Sequence, residues 1–212
     1  MFFLMYQEIT LPLFPSVFYA VEIREDIEEE YDKLKSVEFT PHASQFGDNK
    51  SHTSKSYHVL DKHDFLKRTI TNYVRHFKND ILGYTTTHFS ITTSWVTKTE
   101  PGGYSELHNH KNSWYSGVLY MDDIPDCGDL YLFRDERDIL PNDAPDERSD
   151  LLNAETFVFS PKKNNLVLFP SYLNHRISKN NSNQDRYSLA FNIFPRNTFG
   201  KDDSTLNITI KK

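Results

Sequence analysis

The sequence predicts a mainly β protein with flanking helices, a sandwich or jelly roll, on three observations. From Gly83 onward the chain breaks into short β-rich runs separated by turn residues. Helical periodicity is confined to the part before Gly83. The apolar share is low at 37%, yet 16 Phe, 12 Tyr and 2 Trp lift the aromatic share to 14%. Each aromatic side chain buries on the order of 150–250 Å², so a core can be built from fewer apolar residues, and whole-chain disorder is excluded.

Taken in order, Ile9 to Ile23 mixes β-branched and aromatic residues with Pro12 and Pro15, which suggests an extended lead-in segment. In Arg24 to Lys35, Ile27, Tyr31 and Leu34 recur at helical spacing among charged residues, so an amphipathic helix is expected. Thr40 to Ser56 is polar, carries Pro41 and Gly47, and reads as a loop. The clearest helix is His63 to Leu82, with Phe65, Leu66, Ile70, Tyr73, Val74, Phe77 and Ile81 on one face. Asp61 is its expected N-cap and Gly83 its stop, and His63 and His76 are expected on a solvated face. The strand runs that follow are Thr87–Lys98, Tyr104–His108, Tyr115–Met121, Leu130–Arg134, Thr156–Phe159, Asn165–Phe169, Asn174–Ser178, Arg186–Phe194 and Leu206–Ile210. Many short strands at this spacing favour a sandwich or jelly roll over alternating β/α units. No internal repeat interrupts the pattern, so residues 1–212 read as one domain, with a helical and extended part over 1–86 and a jelly-roll core over 87–212.

Composition narrows the function. With 30 acidic and 24 basic residues the net charge is −6. No basic run tracks a phosphate backbone, which argues against nucleic acid as partner. A single cysteine, Cys127, excludes a disulfide framework and a zinc–thiolate cluster and fits a reducing cytoplasm. The apolar start, Met1 to Met5, has no basic region before it and meets Glu8 at once, too short for a secretion signal. No run approaches the ~20 apolar residues a membrane helix needs. Asp135 to Glu155 carries eight acids against two bases, and reads as a long loop, either disordered or a lid over a site.

The chemistry begins at His108-Asn109-His110. In a strand, positions i and i+2 point to one side, so two imidazoles would face one spot, half of a transition-metal site. Alone this is weak, because a His-x-His arises by chance on surfaces. His175 follows 65 residues after His110, beyond the apolar run Asn165 to Pro170, and Arg186 follows eleven residues after that. Along the last long strand Arg186, Ser188, Ala190 and Asn192 share one face, and Tyr187, Leu189, Phe191 and Ile193 the other. The second face is expected under the helices. The first is that of a binding pocket, where a guanidinium fork takes a carboxylate and a neighbouring hydroxyl adds a hydrogen bond; the bland reading is a structural salt bridge on a sheet.

His108-x-His110, Ser116-Gly117-Val118-Leu119-Tyr120, Gly128-Asp129-Leu130, Leu168-Phe169-Pro170-Ser171, His175 and Arg186-x-Ser188-x-x-Phe191-Asn192 together resemble the 2-oxoglutarate/Fe(II)-dependent oxygenases of bacteria and tailed phages, distant relatives of the prolyl hydroxylases. The resemblance spans roughly Phe14 to Pro195, with specific motifs from about Trp95 onward. It implies a double-stranded β-helix, cupin-like, that binds Fe(II) and the co-substrate 2-oxoglutarate and reacts with O₂. Carried over, His108 and His175 are metal ligands, and Arg186 and Ser188 anchor 2-oxoglutarate. Tyr120 is a further candidate donor to 2-oxoglutarate, with a core tyrosine as the bland reading.

The wider superfamily to which the resembled family belongs usually has a carboxylate where this chain has His110. The preferred reading is a three-histidine site of His108, His110 and His175. Its rivals are a carboxylate from Glu106, or a degenerate site that binds Zn(II) or nothing. A neutral imidazole raises the charge of the site by one relative to a carboxylate and makes the ferric state harder to reach.

The resulting expectation is an oxygenase that couples oxidative decarboxylation of 2-oxoglutarate to hydroxylation of a C–H bond in an unidentified small molecule or peptide side chain. Halogenation is disfavoured because it needs the third protein ligand position vacant. The alternatives are a cupin-type dioxygenase independent of 2-oxoglutarate, which leaves Arg186-x-Ser188 unexplained, and a metal-binding cupin module without turnover. Asn112, Ser113 and Asn192 are placed on the substrate side or at turns, Trp95 in the core, and His42, His52, His58 and His88 as ordinary polar residues. The strand Leu206–Ile210 could pair across a homodimer.

Overall fold

A computed structural model describes residues 15–41, 50–134 and 154–210. His42 and most of the acidic stretch Asp135 to Glu155 lie outside the described residues. The elements run β1 (Tyr19–Glu22), α1 (Glu28–Lys35), β2 (Phe39–Pro41), β3 (Ser51–Ser54), α2 (Asp64–His76), β4 (His88–Thr99), β5 (Tyr115–Tyr120), β6 (Leu130–Phe133), β7 (Thr156–Phe159), β8 (Asn165–Pro170), β9 (His175–Ile177), β10 (Arg186–Phe199) and β11 (Leu206–Ile208).

The strands form two antiparallel sheets. The larger has the order β1-β8-β5-β10-β4-β3-β2, with β11 paired to β10, and the smaller has the order β7-β6-β9. From β4 onward the chain passes back and forth between them: β5 in the large sheet, β6 and β7 in the small one, β8 large, β9 small, β10 large. This winding is the double-stranded β-helix, the fold class expected. No helix among the described residues is long and apolar enough to cross a membrane.

Strand alternation divides the core in two. Leu189, Phe191 and Ile193 of β10 face one way and pack with Leu119 of β5, Leu166 and Leu168 of β8, and Leu66, Ile70 and Val74 of α2. This is the helix side of the large sheet, as the β10 pattern predicts. Between the sheets lies a smaller cluster of Tyr120, Leu130, Leu132, Val167 and Phe169. Gly117 on β5 permits the closest approach in the first cluster: a Cβ there would lie 2.2 Å from Cζ of Phe191.

Several local expectations need correction. The long helix is α2 followed by a π-helical turn, Phe77–Ile81, that ends at Gly83 with φ of 75°, a conformation glycine adopts without steric cost. Asp61 does not cap it. It sits in a 3₁₀ turn, Val59–Lys62, whose Val59 and Leu60 fill the core, and it pairs with Lys67. His63 is not solvated: it is buried, with Nδ1 2.5 Å from Glu30 Oε2, and so ties α2 to α1. Thr40 to Ser56 contributes most of β2 and all of β3 rather than only a loop, because the edge of β4 not paired with β10 takes β3, which in turn takes β2. Tyr104–His108 is not a strand; among its residues only His108 makes a β-bridge. Leu206–Ile208 pairs with Asn197–Phe199 of its own chain.

Candidate metal and co-substrate site

His108, His110 and His175 come together at the mouth of the β-helix, with one ligand nitrogen from each within 4.8 Å of the others. Two separate tethers achieve this. His108 and His175 exchange backbone hydrogen bonds, N–H to O, of 2.9 and 2.8 Å, which adds His108 to the edge of the small sheet. His110 donates its backbone N–H to Ser171 O at 3.0 Å, just past β8 of the large sheet. The dipeptide step thus crosses from one sheet to the other, and Asn109 pins it on the outside by donating from Nδ2 to Asn174 Oδ1 at 2.8 Å.

The Nδ1 atoms face oxygen. His108 Nδ1 lies 2.7 Å from Glu106 O and His175 Nδ1 lies 3.0 Å from Leu173 O. A carbonyl only accepts, so both rings carry hydrogen on Nδ1 and keep the Nε2 lone pair. His110 Nδ1 has Asn192 Oδ1 at 2.7 Å and Ser116 Oγ at 2.8 Å. Burial and the neighbouring His108 lower the pKa of His175 to about 3, and burial lowers that of His110 despite its hydrogen bond to Asn192. Neutral imidazoles are the form in which histidine binds a metal. Glu106 is exposed and stands outside this cluster of donor atoms; its contribution is the carbonyl that orients His108. The backbone there is not a strand, so the i, i+2 rule does not bring its carboxylate round.

Along β10 the other predicted residues share the inner face. Arg186 pairs with Thr99 of β4, Ser188 with Thr97 of β4 and Tyr120 of β5, and Asn192 with Thr93 and Ser116. Arg186 is only 3% exposed. It donates from Nη2 to Thr99 Oγ1 at 3.1 Å, while Nε, Nη1 and the Tyr120 hydroxyl have no partner among the described residues. Burial lowers the pKa of the guanidinium and raises that of the phenol, the Arg186 charge opposing the latter. A buried cation with open donors is costly unless an anion meets it. Donors of Arg186 and Tyr120 left open beside the Ser188 hydroxyl suit a carboxylate, and three imidazoles suit a transition metal.

Sequence reasoning missed two neighbours. Trp95 is not core; its ring lies on the inner face of β4, 5.5 Å from that of His110, and Tyr57, half exposed, sits 6.1 Å beyond it. The strand parity of Trp95 with Thr97 and Thr99 is the signal that would have placed it. Thr99 also escaped notice, since nothing in sequence links it to a residue 87 positions away.

A double-stranded β-helix with three histidines gathered in this way is a jelly-roll protein with a candidate metal site. The comparisons narrow the class. Residues 93–192, which include all three histidines, Arg186, Ser188 and Tyr120, match the family described as "Putative 2OG-Fe(II) oxygenase". By sequence, no curated protein matches the chain. By structure, the chain is similar to HygX from Streptomyces hygroscopicus with nickel, 2-oxoglutarate and hygromycin B bound, at 12% identity and a TM-score of 0.60, over 85% of this chain and 83% of that one. It is also similar to a prolyl-4-hydroxylase from Pseudomonas putida, at 15% identity and a TM-score of 0.53, over 82% of this chain and 91% of that one. An oxidoreductase of the 2OG-Fe(II) oxygenase family from Burkholderia pseudomallei aligns at 13% identity and a TM-score of 0.57, over 84% and 83%. Over residues 93–192 the sequence is thus similar to that of the 2-oxoglutarate- and Fe(II)-dependent oxygenases, and over most of its length the chain shares the fold of solved members of that group.

Proposed function

We propose that this protein is a 2-oxoglutarate- and Fe(II)-dependent oxygenase, a hydroxylase of a small molecule or peptide side chain, and that His108, His110 and His175 hold its Fe(II) through Nε2. Arg186 and Tyr120, with Ser188, take the distal carboxylate of 2-oxoglutarate, and Thr99 holds the guanidinium in place. The observation that carries this reading is the buried Arg186 with two open donors beside the open Tyr120 hydroxyl. When bound, Fe(II) and 2-oxoglutarate supply the oxidising chemistry: decarboxylation to succinate and CO₂ as one oxygen of O₂ enters a substrate C–H bond. The chain's own part is to orient. The Nδ1 hydrogen bonds fix the imidazole planes, and Arg186 sets the angle at which the co-substrate enters. The Trp95 ring beside His110, with Tyr57 next to it, offers an aromatic surface against which a substrate would rest.

The test is an anaerobic titration with Fe(II) and then 2-oxoglutarate, followed by the weak visible metal-to-ligand charge-transfer band. The band is expected in the wild type and absent in His175→Ala. Arg186→Ala is expected to weaken 2-oxoglutarate binding far more than Fe(II) binding. Equal loss of both, or Fe(II) binding with no band, would replace this reading with a cupin-type dioxygenase independent of 2-oxoglutarate, which the all-histidine donor set favours. The proposal treats the chain as one oxygenase domain in the cytoplasm. The acidic balance disfavours nucleic acid as substrate. A homodimer would need a surface other than the face of β11 already paired with β10.

A further inference from the structure

His110 stands where the wider superfamily usually has a carboxylate, and an imidazole there has a requirement a carboxylate does not have. Either carboxylate oxygen can face a metal, but an imidazole must present one particular nitrogen, and that nitrogen must be the unprotonated one. For His108 and His175 a backbone carbonyl makes the choice. For His110 no backbone carbonyl among the described residues takes that place. Its Nδ1 meets two side chains instead, Asn192 Oδ1 at 2.7 Å and Ser116 Oγ at 2.8 Å.

The Asn192 amide is itself oriented. Its Nδ2 donates to Thr93 Oγ1 at 3.1 Å, which turns Oδ1 toward His110. An amide oxygen only accepts, so the hydrogen sits on Nδ1 and Nε2 is left bare. Turned the other way, the amide would donate to Nδ1, force the hydrogen onto Nε2 and close the cluster to a metal. With Nδ1 protonated, the Ser116 hydrogen goes elsewhere, to Asn192 Oδ1 at 2.8 Å or Ser171 Oγ at 2.9 Å. Ser171, fully buried, also accepts the His110 backbone N–H on its carbonyl. Ring and backbone of His110 are therefore held by one connected group. Just past Asn192 the pairing of β10 with β4 shifts register, a bulge of the kind that re-aims side chains beside active sites.

We propose that Asn192, supported by Ser116, is the positioning residue for His110: it selects the Nδ1–H tautomer and aims Nε2 at the metal. The inference rests on the three-histidine reading above. Because the partner is a neutral amide rather than a carboxylate, it orients the ring without adding charge, and the centre keeps the full charge of its metal.

The test is anaerobic Co(II) titration, read by the d–d absorption of bound cobalt, together with the Fe(III)/Fe(II) midpoint potential. Asn192→Ala is expected to weaken Co(II) binding roughly 10–100-fold, the usual effect of removing an outer hydrogen-bond partner of a ligating histidine, while the thermal midpoint of the metal-free protein holds. Asn192→Asp keeps an acceptor, and is expected to restore the affinity and lower the midpoint potential, because a carboxylate partner raises imidazole basicity. A merely structural role would move thermal stability and leave the potential of Asn192→Asp at the wild-type value. The proposal is overturned if Asn192→Ala binds Co(II) like the wild type, or if Asn192→Asp leaves the potential unchanged; the second arm stands even if the alanine variant fails to fold. His110→Ala separates the two levels. Wild-type affinity in His110→Ala removes the three-histidine reading itself, whereas loss there with no loss in Asn192→Ala removes only the role of Asn192.

Discussion

A guanidinium with one nitrogen bonded and two not is an expensive group to bury, and Arg186 bears that cost in the absence of an anion. If these atoms bind an anion as proposed, the cost is the trade between stability and function expected at a binding site. Arg186→Met keeps the length of the side chain and removes the charge. It should stabilise the ligand-free protein by on the order of 1–4 kcal/mol, by analogy with apolar replacement of buried ionic groups, and abolish the rise in thermal midpoint expected when 2-oxoglutarate is added to the wild type. A ligand-free midpoint below the wild type would show that Arg186 is already satisfied in the free protein.

Packing between elements sets how precisely the cluster is built. Gly117 lies on β5 directly opposite Phe191 of β10, and the ring fills the space a side chain would need. Gly117→Ala should destabilise by about 1–3 kcal/mol or more, the usual cost of overpacking a tight core. Adding Phe191→Leu should recover part of the loss, since contacting residues are not additive. A single-variant cost below about 0.5 kcal/mol in urea melts would mean the strands part easily and hold the site loosely.

The α1–α2 contact offers a second handle. Burial raises the Glu30 carboxyl pKa, but the hydrogen bonds and charges of His63 and Lys33 outweigh it and hold it below the ordinary value of 4.5. A depressed carboxyl contributes stability that is present above its unfolded pKa and lost as pH falls through the folded one. Stability should therefore drop as pH falls below about 4.5, and Glu30→Gln should flatten that part of the curve. An identical acid limb in the variant would assign acid sensitivity to other carboxylates.

At the scale of the molecule, the site exists because two sheets close on each other. His108 and His175 belong to the edge of the small sheet, His110 is tied to the end of β8, and Arg186, Ser188 and Asn192 line the large one. Much of this is legible along the chain. Two-residue periodicity assigns Arg186, Ser188 and Asn192 to one face of β10 and Leu189, Phe191 and Ile193 to the other, because alternation is a local property of extended backbone. Turn residues mark most strand limits for the same reason. The grouping of His108, His110 and His175 came from motif order, and the structure brings their side chains within one cluster.

The sequence by itself determined the β-rich class, the two faces of the last long strand and the residues worth watching, since these follow from local stereochemistry and side-chain chemistry. Only the tertiary structure decided that Trp95 stands beside His110, that Thr99 holds Arg186, that His63 is buried against Glu30, and that Glu106 offers a carbonyl rather than its carboxylate. Each of these depends on an irregular backbone or on residues that meet across elements, or on both. Strand register and sheet closure bring such residues together, and both are settled by burial summed over the whole core, which no local pattern encodes.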